Sequence, residues 1–141
     1  MTELYKEDLS AKTLLLSDDK VFYTVEGEGE YVGYPSVFMR LSMCNLTCQG
    51  FASEDSPHGC DSYISWSVKN RITNADLLQH FEQEGFEKHL YNGAIWKITG
   101  GEPLVQQPAL LRFLAHMEVE WGWVPRIDFE TNANIMPDKE W

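Results

Sequence analysis

Between residues 21 and 131 the chain switches repeatedly between two apolar periods, and that alternation limits it to few architectures. Four short runs are rich in β-branched and aromatic residues, as strands are: "VFYTV" (21–25), "SVFMRL" (36–41), "AIWKIT" (94–99) and "RIDFET" (126–131). Two longer segments repeat at helical spacing. In residues 73–85, Thr73 can cap a helix with Asp76 three residues on, Leu77, Leu78 and Phe81 share one face, and Gly85 ends it. In residues 108–120, Pro108 falls in the first turn and Leu110, Leu111, Leu114 and Met117 point inward. From residue 36 the order is strand, helix, strand, helix, strand. Strands joined through helices pair in parallel with right-handed crossovers, so an α/β fold with a parallel sheet is predicted.

A length of 141 residues suits a single domain, residues 1–141, with a real core. Three parallel strands and two helices leave a sheet half covered, however, so the domain is expected to be incomplete at its C-terminal end. Asp and Glu number 22 against 11 Lys and Arg, a formal charge of −11. Such a balance repels phosphate backbones and anionic bilayers, so neither nucleic acid nor membrane is expected as a partner. No apolar run approaches the roughly 20 residues of a membrane span, and the charged start "MTELYKEDLSAKTLLLSDDK" lacks a signal-peptide core. A cytoplasmic protein is expected, in which thiols stay reduced.

The chemically distinctive residues gather behind the strands. "CNLTC" follows run 36–41, "GGEP" follows run 94–99 and "TNAN" follows run 126–131. Open α/β sheets and barrels keep their active sites at the C-terminal ends of parallel strands. Three separate segments are therefore predicted to meet on one rim, which points to an enzyme. Trp66 and Trp96 read as core residues, and His80, His89 and His116 as helix or surface residues.

All three cysteines, Cys44, Cys48 and Cys60, lie within residues 44–60. Four arrangements account for them. Structural zinc would recruit His58 as a fourth ligand, although His58 and Cys60 are too close for a usual knuckle. A disulfide with a spare thiol conflicts with a reducing compartment. Three unrelated buried thiols would have to fall on one loop. The fourth is an iron–sulfur cluster with three protein thiolates, which leaves one iron open to a substrate or cofactor. The eleven residues between Cys48 and Cys60 reach roughly 36–40 Å when extended, ample for Cys60 to return beside the other two.

Four stretches, "FYTVEGEGEYVGYPSVFMRLSMCNLTC", "CDS", "KITGGEPLVQQ" and "IDFETNANI", occur in an order that resembles the 7-carboxy-7-deazaguanine synthase family from about residue 22 onward. These are radical S-adenosylmethionine (SAM) enzymes. The resemblance implies a radical SAM-type incomplete (β/α) barrel, truncated in this chain. It implies a reduced 4Fe–4S cluster that binds SAM at its open iron and cleaves it to a 5′-deoxyadenosyl radical. That radical would take a hydrogen from 6-carboxy-5,6,7,8-tetrahydropterin, and ring contraction with loss of ammonia would follow with the help of Mg²⁺. A homodimer, an external electron donor such as flavodoxin and the small pterin substrate are the implied partners.

By the same resemblance, Cys44, Cys48 and Cys60 are the cluster ligands, although the family usually has two residues between its second and third cysteines where this chain has eleven. Gly59, Cys60 and Asp61 would lie against SAM. Ser62 stands where the family has a magnesium-contacting Thr, and a serine hydroxyl can also ligate a hard cation. Gly100, Gly101 and Glu102 match the "GGE" at SAM's methionine end, where side-chain-free backbone admits a ligand closely and a carboxylate can meet an ammonium. Glu130, Thr131 and Asn132 match a further SAM-binding strand end. There Ala133 replaces the family's Gly, and since Ala tolerates positive φ poorly, the loop is expected to differ. Arg40 would bind the pterin carboxylate. Val25, Glu26 and Gly27, together with Glu28 and Thr99, would contact the substrate, Glu26 accepting from its amino–amide edge in place of a family Gln. Two rival functions remain at this stage: a glycyl-radical-enzyme activating protein, which lacks a "GEG" segment spaced this way, and a zinc-stabilised non-catalytic module.

Overall fold

In the computed structural model, which describes residues 12–49 and 59–141 (residues 18–20 by backbone alone), the strand runs assemble into one five-stranded sheet. Its members are β1 (Thr13–Val25), β2 (Pro35–Leu41), β3 (Asn70–Thr73), β4 (Ile95–Gly100) and β5 (Ile127–Phe129), in the order β3-β1-β2-β4-β5. Strands β2, β4 and β5 are parallel, as the strand–helix alternation predicts. β1 runs antiparallel to both β2 and β3. It is also much longer than the run 21–25, because it takes in "TLLLSDDK", a segment whose charges mask its strand character.

Alternation along the strands gives the sheet two unlike faces. On one face Val37, Met39 and Leu41 of β2 and Trp96 and Ile98 of β4 are fully buried. Helices α2 (Asn74–Gln83), α3 (Phe86–Tyr91) and α4 (Gln107–Trp121) cover it with Leu77, Phe81, Leu90, Leu110, Phe113 and Met117. Phe81 and Phe113 meet the Trp96 ring edge-on at 6.0 and 5.7 Å. The helix ends follow their sequence signals. The Thr73 hydroxyl accepts from the Asp76 amide at 3.0 Å, and Gly85 takes the left-handed conformation that stops α2. Leu114, expected inside α4, is only partly buried, and His116 is the more enclosed of the two.

A short helix, α1 (Tyr63–Ser67), and a 3-10 turn over Pro103–Gln106 complete the elements. Both serve the rim. The Met43 amide donates to the Trp66 carbonyl, which pulls α1 against the end of β2. Buried Gln106 donates to the carbonyls of Leu15 and Ser42 and accepts from the Leu15 amide, tying the turn after β4 to the far side of the sheet.

Candidate functional site

The three segments expected to converge do so through direct bonds. The Gly101 amide donates to Leu41 and the Glu102 amide to Met43, so the "GGE" backbone extends the β2–β4 pairing past the strand ends. At both glycines the chains touch. A Cβ on Gly100 would lie 2.0 Å from the Leu41 carbonyl oxygen, and one on Gly101 would lie 2.1 Å from that of Met43 and 3.1 Å from Cys44 Cβ. Gly59 plays the same part for the third cysteine. It holds a φ of 81° with its Cα facing the Cys48–Gln49 backbone, where a Cβ would meet the Gln49 oxygen at 2.2 Å. Gly59, the residue before Cys60, is thereby held against the backbone of the second cysteine.

All three thiols are free, Cys48 exposed and Cys44 and Cys60 half-buried. Among the described residues no three His, Cys, Asp or Glu side chains are grouped closely enough to hold a metal ion, and His58 lies outside the described residues. Cysteine thiolates are the donor type that iron–sulfur clusters take.

Glu102 is the hub of the rim. Its carboxylate is fully buried and accepts from the Leu104 amide, the Thr131 hydroxyl and the Asn132 amide, the last at 2.7 Å. Through these bonds the Glu102 side chain braces the "TNAN" loop. Asn132 passes the brace on. Its side-chain amide donates to Asn45 at 2.9 Å and lies 4.0 Å from the Cys44 sulfur. The neighbouring Ala133 corrects the expectation that Ala would alter this loop. It adopts φ 58°, the left-handed conformation that Gly takes at no steric cost. Met43, just before the first cysteine, is likewise left-handed at φ 76°, clamped on both sides by its bonds to Trp66 and Glu102.

Beside this rim, on the sheet face away from α2, α3 and α4, lies a cavity of about 490 Å³. Of the residues predicted to meet substrate, Glu26, Gly27, Glu28, Arg40 and Thr99 line it; Asp61, Ser62, Gly100 and Glu130 from the predicted cofactor sites line it too. Val25 does not, and its side chain is more than half exposed. Gly59, Cys60, Gly101, Glu102, Thr131 and Asn132 stand outside the wall, in the rim that supports it.

The register explains this lining. Phe22, Phe38, Lys97 and Asp128 are successive cross-strand partners and form one row across four strands. Arg40 pairs with Thr99 in the next row. Phe22 and Phe38 stack at 5.2 Å with their rings 5° from parallel, and the Arg40 guanidinium lies 5.3 Å from the Phe22 ring centre. The floor is thus an aromatic platform beneath a cation. Opposite stand carboxylates. Glu26 is almost fully buried and accepts from the Glu28 amide at 3.0 Å, while Thr99 donates a short hydrogen bond to Glu130. The loop that carries Glu26 and Glu28 is closed by the Glu26 backbone, which bonds Gly33 and Tyr34, and Tyr31 is held by a hydrogen bond and ring contact from Arg126.

Sequence reasoning missed Phe22, Thr24, Phe38 and Ser65 of the cavity wall, and Lys97 beneath it. Lys97 Nζ lies 2.7 Å from Asp128, 2.9 Å from Glu26 and 3.5 Å from Glu130. Burial opposes its charge, but hydrogen bonds to Asp128 and Glu26 and the charges of Asp128 and Glu130 outweigh that cost and hold the ammonium well above the ordinary lysine range. A signal was present: a lysine inside an apolar strand needs a partner, and "IDFE" supplies carboxylates two residues apart on the next strand.

Comparison with known proteins meets this geometry. The chain is 34% identical over 116 residues to the 7-carboxy-7-deazaguanine synthase of Thermoplasma acidophilum, covering 82% of this chain and 46% of that protein. It is 31% identical over 139 residues to the enzyme of the same name from Hyperthermus butylicus, covering 97% and 51%. This chain is a relative of the 7-carboxy-7-deazaguanine synthases. It spans about half the length of the curated relatives it matches. The crystal structure of QueE from Escherichia coli superposes with a TM-score of 0.60 at 22% identity, over 84% of this chain and 52% of that one, which supports the fold. No protein-family model matches the chain. Among the described residues no helix is long and apolar enough to cross a membrane.

Proposed function

We propose that the chain is the radical SAM part, residues 1–141 and incomplete at its C-terminal end, of a 7-carboxy-7-deazaguanine synthase, which converts 6-carboxy-5,6,7,8-tetrahydropterin to 7-carboxy-7-deazaguanine with loss of ammonia. The observation that carries this reading is the cavity: an aromatic platform under Arg40, faced by carboxylates, opening onto Asp61 and Ser62 beside the third cysteine. A flat heterocycle with hydrogen-bond donors on one edge and a carboxylate on another matches that distribution of charge. Arg40 would take the carboxylate, a charge-assisted contact of roughly 1.5–3 kcal/mol. Glu26, Glu28 and Thr99 would take the amino–amide edge, with Val25 and Gly27 shaping the loop around it.

Cys44, Cys48 and Cys60 would hold a 4Fe–4S cluster. Gly59, Asp61, Gly100, Gly101, Glu130, Thr131 and Asn132 would surround SAM, with Glu102 fixing the last two, and Ser62 would ligate Mg²⁺. When bound, cluster and SAM supply a 5′-deoxyadenosyl radical that abstracts hydrogen from the substrate. The part of the chain's own residues is to seat the pterin with the abstracted hydrogen toward the cysteine rim and to exclude water behind Phe22 and Phe38. A homodimer in the cytoplasm, served by an external one-electron donor such as flavodoxin and binding neither nucleic acid nor membrane, completes the proposal.

The test is anaerobic purification with metal and sulfide analysis, then incubation with SAM, reductant and 6-carboxytetrahydropterin, with products read by mass spectrometry. Iron, acid-labile sulfide and 7-carboxy-7-deazaguanine are expected. Zinc without iron, or an intact reduced protein that cleaves SAM but gives no deazaguanine, overturns it.

A further inference from the structure

Lys97 is the most enclosed lysine or arginine among the described residues and belongs to no predicted site. Its side chain is 6% exposed, and three carboxylates from two separate segments close on it. Glu26 reaches it from the loop after β1, and Asp128 and Glu130 reach it from β5 and the residue beyond. Those segments lie on opposite sides of β4 in the sheet, with β2 between β4 and β1. The ammonium is therefore the common tie between two walls of the cavity. Each of the two cavity-lining carboxylates gives one oxygen to Lys97 and has a second fixed elsewhere. Glu26 Oε1 accepts from the Glu28 amide, and Glu130 Oε2 accepts from the Thr99 hydroxyl. Beyond the direct partners, Glu28, Glu30 and Tyr31 are the titratable groups that share a second hollow with Lys97, and Phe38 is its cross-strand neighbour on β2.

Three carboxylates around one ammonium leave a local excess of two negative charges. Without the ammonium, the two carboxylates would lose the one partner they share and repel each other across the cavity. We propose that Lys97 is a positioning residue that fixes the spacing of Glu26, an acceptor for the donor edge of a heterocyclic ligand, and Glu130, on the cofactor side of the same cavity. This rests on the pterin reading of the cavity. In that role Lys97 touches no ligand; it acts through the two glutamates.

Two measurements on the full chain test it, and the first needs no ligand. Carboxyl ¹³C NMR at pH 7 should show Glu26 and Glu130 each in a single environment in the unaltered protein. In Lys97→Met both signals should move or broaden, and in Lys97→Arg they should stay close to the parent positions. The second measurement is binding of 6-carboxypterin, an oxidised analogue that does not turn over. Lys97→Met should weaken binding about 10–100-fold at pH 7, the equivalent of losing one or more charge-assisted contacts. Lys97→Arg should stay within about threefold, less than half of a tenfold step in free energy. Should Lys97→Met fail to fold, Lys97→Gln, which keeps a donor but no charge, carries the same test. Superposable carboxyl spectra of the neutral variant and the unaltered protein overturn the proposal. So does a loss of binding shared equally by the neutral and Arg variants. If the unaltered protein binds no pterin, the pterin reading fails, while the carboxyl spectra still decide what Lys97 holds.

Discussion

Along β2, Val37, Met39 and Leu41 pack fully buried beneath the helices, while Phe38 and Arg40, one residue out of step, face the cavity; along β4, Trp96 and Ile98 contrast with Lys97 and Thr99 in the same way. The first face is apolar and held by shape. The second is held by specific pairs: ring on ring, guanidinium over ring, ammonium among carboxylates. Each strand therefore carries two separable tasks, and substitutions on the two faces should fail differently.

The largest effect belongs to the helix-covered face. Trp96→Ala removes the ring that Phe81 and Phe113 abut and should cost about 3–5 kcal/mol in urea unfolding, with pterin affinity of the remaining folded fraction little changed. A selective loss of binding with normal stability would contradict the division between faces. Next comes the rim, where the comparison sharpens. In Gly101→Ala the added methyl meets the Met43 carbonyl and crowds Cys44 Cβ, so a cost near or above the upper end of about 1–3 kcal/mol is expected. Because the displaced segment carries the first cysteine, iron incorporation on reconstitution should fall further than stability does. Iron loading equal to that of the parent would show that Gly101 does not hold the cysteine loop.

On the cavity face, Arg40→Met keeps a long side chain over the Phe22 ring and removes the charge. It should weaken 6-carboxypterin by roughly 1.5–3 kcal/mol while the 6-unsubstituted pterin, which has no carboxylate, loses much less. Unfolding free energy should stay within about 0.5 kcal/mol, as for an ordinary partly exposed site. Equal losses for both pterins would remove the assigned partner of Arg40.

What could be read in advance follows the same division. The parallel core, both long helices with their caps, and the meeting of three loops on one rim follow from short-range patterns: period, capping residues and Gly placement. The cavity wall does not announce itself that way. Phe22 and Phe38 look like any strand aromatics until register sets them opposite one another, and register between β1 and β2 depends on pairing across the whole hairpin. β1 itself was underestimated because Asp18, Asp19 and Lys20 interrupt its apolar pattern in the middle of a strand that spans Thr13–Val25. Glu102 shows the converse. Its motif marked it correctly as a rim residue, but whether a carboxylate faces a ligand or braces a neighbouring loop depends on where Thr131 and Asn132 arrive, 29 and 30 residues later. Lys97 was legible in principle, since a charge amid "AIWKIT" demands burial with partners, yet choosing Glu26 among its partners requires the fold.

The smallest effect tests whether the rim carries strain on purpose. Ala133 sits at φ 58° in the "TNAN" loop, held there by the Thr131 hydroxyl, which accepts from its amide at 3.1 Å, and by the Asn132 bonds on either side. A left-handed alanine costs roughly 1–2 kcal/mol. Glycine would relieve that but gives back about 0.5–1 kcal/mol in unfolded-chain entropy. Ala133→Gly should therefore stabilise the chain by between about 0 and 1.5 kcal/mol, visible as a small rise in unfolding midpoint with an unchanged denaturant slope. SAM affinity should be unaffected, because the anchors of the loop, Glu102 and Asn132, are untouched. A destabilised Ala133→Gly would mean that the loop relaxes from this conformation in solution, and that the bonds around Asn132 do not by themselves hold the rim in place.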